Sequence, residues 1–145
     1  MDNGTAEFSS DASHTGTGLS GEVTGLLSQL RSDDEEQRAL AADALQALEM
    51  LSITDLPAVL AASQDSHSVV AYWACRLMTR LLPHHPQVRD GLLNVMAQHS
   101  DRRVRVEAAR CLARLPQPDA ELVAILHDFA KTHPEPRLLQ ILEFD

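Results

Sequence analysis

Aromatic residues are scarce in this chain. Only 3% of the 145 residues are aromatic, although 44% are hydrophobic, so a core must be built mainly from Leu, Ala and Val. Because Ala and Leu favour helices and β-branched runs are few, this composition indicates an all-α fold. No stretch approaches the roughly 18 consecutive apolar residues of a membrane-spanning helix, so no membrane span is expected.

Cysteine is also rare, since it occurs only at positions 75 and 111. Two cysteines do not make a disulfide framework, and free thiols in a reducing compartment are expected. Cys111 lies on an apolar stripe, whereas Cys75 aligns with a surface position, where Arg76 and Arg80 would lower the pKa of its thiol. The sequence offers no base or orienting partner, so we interpret both thiols as inert.

Positive charge is in short supply as well. The chain has 12 basic and 21 acidic side chains, which give a net charge of −9. Phosphate groups repel such a surface, and this argues against binding to nucleic acids or anionic membranes. The first residues lack the basic region and apolar core of a secretory signal, so a cytoplasmic location is expected.

One stretch, Asp101–Leu115, organises the rest of the chain and is predicted to be a helix. Asp101 is a good N-cap, because its side chain can accept hydrogen bonds from backbone N–H groups of the first turn. Apolar residues recur along one stripe at helical period. They are Val104, Ala108, Cys111, Leu112 and Leu115. Pro116 and Pro118 end the helix.

Residues 1–20 contain too few apolar residues to offset the entropy of ordering, so we predict a disordered N-terminal tail.

Segments similar to Asp101–Leu115 recur along the chain. Residues 21–145 form one predicted helical domain, in which Asp34, Ser66 and Asp101 hold equivalent cap positions at offsets of 32 and 35 residues. A short helix, a turn and a long helix, repeated roughly every 30–36 residues, are the signature of an α-solenoid.

The helix after Asp101 resembles the second helix of a HEAT repeat, in the short bacterial style also seen in phycobilin lyases. The matching pattern is Asp101-x-x-Val104-Arg105-x-x-Ala108-Ala109-x-x-Leu112-x-x-Leu115. The first repeat keeps most of this pattern, whereas Val70, Trp73 and Pro136 depart from it in the second and fourth. The resemblance covers about residues 21–145 and implies about four helical hairpins. It says less about function, because HEAT repeats mostly bind other macromolecules.

By this resemblance, the second helices line the concave surface of the solenoid. On the third repeat, the side away from the apolar stripe carries Arg102, Arg103, Arg110 and Arg114. The equivalent side of the first repeat carries Glu35, Glu36 and Asp43. We therefore predict a protein-binding face graded from acidic to basic, with the arginines contacting an acidic patch of the partner. The alternative is a solvated face on which Glu107 pairs with Arg103 and Arg110.

The last hairpin carries more apolar surface than the end of a solenoid usually shows. Its apolar residues are Leu138, Leu139, Ile141, Leu142 and Phe144. We predict that this terminal apolar surface supports self-association or the docking of a second chain.

Histidine and tryptophan show no catalytic or metal-binding pattern. The histidines at 67, 84, 85, 99 and 133 fall near predicted turns and match no zinc spacing, so neither a metal nor another cofactor is expected. Trp73 stands where the repeat has a small residue. We interpret it as an enlarged core residue, with a contact anchor in the groove as the alternative.

The leading hypothesis is a non-enzymatic protein-interaction module or small adaptor. The phycobilin-lyase resemblance implies a second, a tetrapyrrole-handling protein, which needs a deep pocket with a carboxylate and aromatic walls. Only Tyr72, Trp73 and Phe129 are placed to form such walls. A third hypothesis, a HEAT-like DNA base-excision enzyme, is favoured only by the Arg-rich third repeat and opposed by the net charge.

Overall fold

The computed structural model describes residues 16–116 and 118–143, and the side chains of residues 22–116 and 118–142. The helices are α1 (Gly16–Gln29), α2 (Glu35–Ala47), α3 (Leu56–Ser63), α4 (Ser68–Leu81), α5 (Pro86–Gln98), α6 (Arg102–Ala113), α7 (Ala120–Thr132) and α8 (Pro136–Glu143), with a short 3₁₀ helix at Ile53–Asp55. These residues contain no strand, and none of these helices is long and apolar enough to cross a bilayer. The all-α solenoid prediction is confirmed.

Helix starts differ from the prediction at three places. The first helix begins at Gly16, within the predicted tail, whereas residues 1–15 lie outside the described residues. The N-cap of α4 is His67 rather than Ser66, because the His67 ring accepts from the backbone N–H of Val70. For the last helix the repeat alignment places His133 at the cap position, but His133 ends α7, and α8 begins at Pro136, since proline suits the first position of a helix.

The helices form two layers. The second helices α2, α4, α6 and α8 pack each against the next, and α1, α3 and α5 do the same in the other layer. Between the described residues of α5 and α7 there is no such contact, although α6 packs on α8. At this end of the solenoid the second helices stay closer together than the first helices, which puts them on the inner side of its curvature.

Helix α6 lies at the centre of the core. It contacts α4, α5, α7 and α8, and its whole predicted apolar stripe is buried. Asp101 caps it by accepting from the N–H of Arg103, with N···O 2.8 Å. The hydroxyl of Ser68 also donates to Asp101, at 2.6 Å, and this bond ties the start of α6 to the start of α4.

Equivalent arginines hold the hairpin turns together. A guanidinium N–H of Arg38 donates to the carbonyl of Ser32 at 2.7 Å, and one of Arg105 donates to the carbonyl of His99 at 2.8 Å. The second repeat has Val70 at this position and lacks the bond. The repeat arginine is therefore a structural residue that satisfies carbonyls of its own turn.

Candidate interaction groove

Three adjoining cavities follow the inner face between α4 and α6. Their volumes are about 280, 220 and 330 Å³, and they share lining residues from both helices. We call this depression the α4–α6 groove and define it by Tyr72, Trp73, Arg76, Glu107 and Arg110. A buried carboxylate lies at its floor.

That carboxylate belongs to Glu107, whose side chain is only 2% exposed. It pairs with Arg110 of the same helix, with N···O 3.0 Å, and with Arg76 of α4, at 3.6 Å. The thiol of Cys111 donates to it as well, at 3.6 Å. Two guanidinium groups face one carboxylate, so the floor keeps a net positive charge.

Aromatic rings form the α4 side of the groove. The rings of Tyr72 and Trp73 meet edge to face with centroids 6.2 Å apart. The Arg76 guanidinium lies over both, 5.5 and 5.7 Å from their centroids, where it gains cation–π attraction. Trp73 is half-buried against the core, as predicted, and it also lines the groove, so its role as a contact anchor stays a prediction.

The four predicted arginines have different environments. Arg102, Arg103 and Arg114 are exposed, whereas the Arg110 side chain is 14% exposed and held by Glu107. The guanidinium groups of Arg102 and Arg114 have no hydrogen-bonding or ion-pair partner within the described residues. Arg103 pairs with Asp101 at 3.1 Å, not with Glu107 as the alternative supposed. Hydrogen bonds from Arg103 and Ser68 hold the pKa of the Asp101 carboxyl well below its ordinary value.

Sequence reasoning missed Arg76 as a partner of Glu107. Arg76 aligns with Cys111 and Ala44, which are small residues on the sides of α6 and α2 that face the core. A charged residue in such a position signals an ion pair across the helix interface. The same alignment placed Arg110 on the surface, because it ignored the charge that Glu107 brings to the interface.

The acidic residues predicted on the first repeat are exposed on α2. Glu35 and Glu36 lie in the first turn of that helix, where negative charge is favourable, and Asp43 follows two turns later. None of the three lines the α4–α6 groove, to which α2 contributes Gln46. They flank the groove on its N-terminal side.

The predicted terminal apolar surface is mostly internal. Leu138 is 0% and Leu142 3% exposed, because the stripe of α8 packs on α6 and α7. Ile141 is half-buried and Leu139 is 39% exposed, while Phe144 lies outside the described residues. Leu139 is thus the main exposed apolar side chain in the described part of α8.

Both cysteines are buried, which corrects the surface position assigned to Cys75. Burial raises the pKa of the Cys75 thiol well above its ordinary value, and it raises that of Cys111 to about 12. The alignment erred because Cys75 faces α6, where the Cys111 thiol lies 3.8 Å from its carbonyl oxygen. Neither thiol is therefore activated by the nearby arginines.

Four of the described histidines serve local structure at helix ends. The rings of His67 and His85 cap α4 and α5, and His99 bonds to the N–H of Asp101 and the carbonyl of Asp65. His133 accepts from Arg105 at 3.3 Å and stacks on Phe129. In the described part of the chain, no three His, Cys, Asp or Glu residues come together as metal ligands would.

Comparison with known proteins identifies one relationship. A family model of HEAT repeats matches residues 56–141, which is more than half of the chain and runs from α3 into α8. No curated protein and no solved structure shows a significant match.

Proposed function

Because this chain belongs to the HEAT-repeat family, whose repeats are generally protein-interaction modules, we propose that it is a non-enzymatic interaction module or small adaptor. Its partner is another protein with an acidic patch. The contact surface is the α4–α6 groove together with the arginines at its two ends.

The observation that carries this proposal is the pair of unengaged arginines on α6. Arg102 opens the helix and Arg114 caps its end, so they lie about 18 Å apart along the axis at 1.5 Å per residue. Their guanidinium groups match the geometry of carboxylates. Because one rigid helix presents both, binding orders little more than the two side chains.

The groove between these arginines supplies the apolar part of the contact. Tyr72 and Trp73 are half-buried there, and Trp, Tyr and Arg are the residues that most often dominate binding energy. The exposed Glu35, Glu36 and Asp43 repel an acidic partner from α2, which directs its acidic patch toward α6.

A differential capture tests the proposal. The wild-type chain, an Arg102→Glu/Arg114→Glu variant and a Lys131→Glu control are immobilised, and each is incubated with native lysate. Lys131 is exposed on α7, in the other layer, so its reversal changes net charge but not the groove. Retained proteins are quantified by mass spectrometry.

We expect the wild type and the control to retain the same proteins and to release them in salt. The double variant should retain at least ten-fold less of these proteins. Equal retention by all three chains would contradict the groove proposal. Loss on Leu139→Asp, with retention by the double variant, would instead make the terminal apolar surface the interface.

The two enzymatic hypotheses remain open to direct tests. Within the described residues the carboxylates that line the groove are Asp101, Glu107 and Glu135, and the first two are already paired with arginines. A change in bilin absorbance on mixing would favour a tetrapyrrole-handling protein, and a salt-sensitive shift of DNA mobility would favour a base-excision enzyme.

A further inference from the structure

We propose that the groove is regulated by the chain's own N-terminal segment, residues 1–15, with Phe8 docking beside Trp73. This inference rests on the proposed function, because it names a competitor for the same groove. The segment lies outside the described residues, and three properties of the sequence and the structure point to it as the occupant.

The first property is charge. Residues 1–15 contain Asp2, Glu7 and Asp11 and no Lys or Arg. The cavity of about 280 Å³ beside Trp73 is lined by three arginines and one carboxylate, which are Arg76, Arg80, Arg114 and Glu107. An acidic segment therefore meets a surface of opposite net charge, which favours both encounter and orientation.

The second property is position. The α1–α2 hairpin is antiparallel, so Gly16 lies at the end where α2 finishes. Arg80 donates to the carbonyls of Leu45 and Leu48, which places the end of α4 at the same end of the solenoid. The cavity beside Trp73 is lined by Gln46, Arg80 and Arg114, so it opens toward this end too.

The third property is reach. Helix α1 packs against both α2 and α4, and packed helices have axes about 8–10 Å apart, so the inner face of α4 near Leu81 is about 20 Å from Gly16. Trp73 lies about 12 Å farther along α4, which makes the straight distance about 23 Å. The eight residues from Phe8 to Gly16 extend to about 27 Å. Phe8 is the only aromatic residue before Gly16, and it is flanked by Glu7.

Tethering makes even weak docking effective. A short tether gives an effective concentration on the order of 1 mM. A segment that binds with a Kd of about 0.1 mM as a free peptide would then fill the groove about nine-tenths of the time. An external acidic ligand would bind the intact chain about ten-fold more weakly than a chain whose segment no longer docks.

Trp73 is the only tryptophan of the chain, so its fluorescence reports on the groove. Acrylamide quenching is measured on the full-length wild type, on Glu7→Lys/Phe8→Ala/Asp11→Lys, and on the tail control Ser10→Ala. Thermal unfolding checks that all three are folded. We expect the quenching constant to rise at least two-fold in the triple variant, and in the wild type at 1 M NaCl, but not in the control.

A second measurement uses two fluorescein-labelled peptides, one copying residues 1–13 and one unrelated, with a phenylalanine between acidic residues. Both should bind the triple variant about ten-fold more tightly than the wild type. Equal quenching constants, or equal peptide affinities for the two chains, would overturn the inference. So would quenching that depends on protein concentration, because docking would then occur between copies.

The unrelated peptide separates this inference from the proposed function. If it binds the triple variant, and Arg102→Glu/Arg114→Glu abolishes that binding, the groove still recognises acidic partners whatever the segment does. If neither peptide binds any of the chains, both proposals are overturned.

Discussion

Helices α2 and α6 begin alike and lie in different surroundings. Asp34 and Asp101 each accept from the N–H two residues on, and Arg38 and Arg105 each bond to a carbonyl of the preceding turn. Yet α6 is covered on several sides, whereas α2 packs on α1 and α4. The repeat pattern thus determines the local structure, and the neighbours determine which residues are buried.

The largest expected contrast lies between two leucines of the repeat pattern. Leu45 and Leu112 hold equivalent positions and both are 0% exposed. We expect Leu112→Ala to lower the free energy of unfolding by about 3–4 kcal/mol and Leu45→Ala by about 2 kcal/mol. The cavity left by Leu45 can collapse more easily, since α2 has no described neighbour on its outer side.

Urea unfolding of the two variants measures this contrast, with Ala124→Ser on the exposed side of α7 as a surface control. Equal losses for the two leucines would mean that α2 is covered as fully as α6.

The second contrast concerns aligned positions that face different surroundings. Asp43 and Arg110 are equivalent in the repeat, and the alignment alone predicts a small cost for replacing either. Arg110→Ala should cost about 1–2 kcal/mol, because it removes one partner of the buried Glu107 and leaves only Arg76. Asp43→Ala should cost less than about 0.5 kcal/mol, since that residue is exposed.

A double-mutant cycle of Arg110→Ala with Glu107→Gln tests the assigned cause. The two changes should be clearly less costly together than the sum of their separate costs, because they share one ion pair. Additive costs would show that Arg110 stabilises the chain through its aliphatic stem rather than through Glu107.

These residues also show how far the sequence can predict the structure. Cap residues, prolines and apolar period act within one or two turns, so the helices, the repeat and the stripe of α6 were predictable. The α4–α6 groove was not, because it depends on which side chains meet across two helices. Arg76, Cys75 and Arg110 were misjudged for the same reason, since a helical wheel shows the faces of one helix and not the side chains of the helices that pack against it.

The third contrast compares the two aspartate caps. Asp34→Ala should cost about 0.5–1 kcal/mol and Asp101→Ala about 1–2 kcal/mol, because Asp101 also accepts from Ser68. The folded pKa of Asp101 lies below its ordinary value of 3.8, so its contribution is present above that pH. The contribution is lost as the pH falls through the folded pKa.

Unfolding of the wild type and Asp101→Ala between pH 6 and pH 2 measures that dependence. The difference in stability between the two chains should be constant above about pH 4 and should narrow below it. A constant difference over the whole range would mean that the carboxylate charge is not what stabilises the cap.

The smallest expected effect on stability comes from Asp43→Cys, which sharpens the comparison most directly. Position 43 is exposed on α2, whereas Cys75 at the equivalent position of α4 is buried against α6. The substitution should change stability by less than about 0.5 kcal/mol.

The new thiol should react with iodoacetamide at pH 8 at least a hundred-fold faster than Cys75 or Cys111. Burial raises the pKa of both native thiols, and their alkylation requires the helices to separate. Mass spectrometry of labelled peptides follows each site, and labelling in urea provides the control in which all three thiols react alike. If Cys75 in the folded chain reacts as fast as the new thiol, α4 and α6 separate readily, and the groove between them is not the rigid surface from which the proposed function is argued.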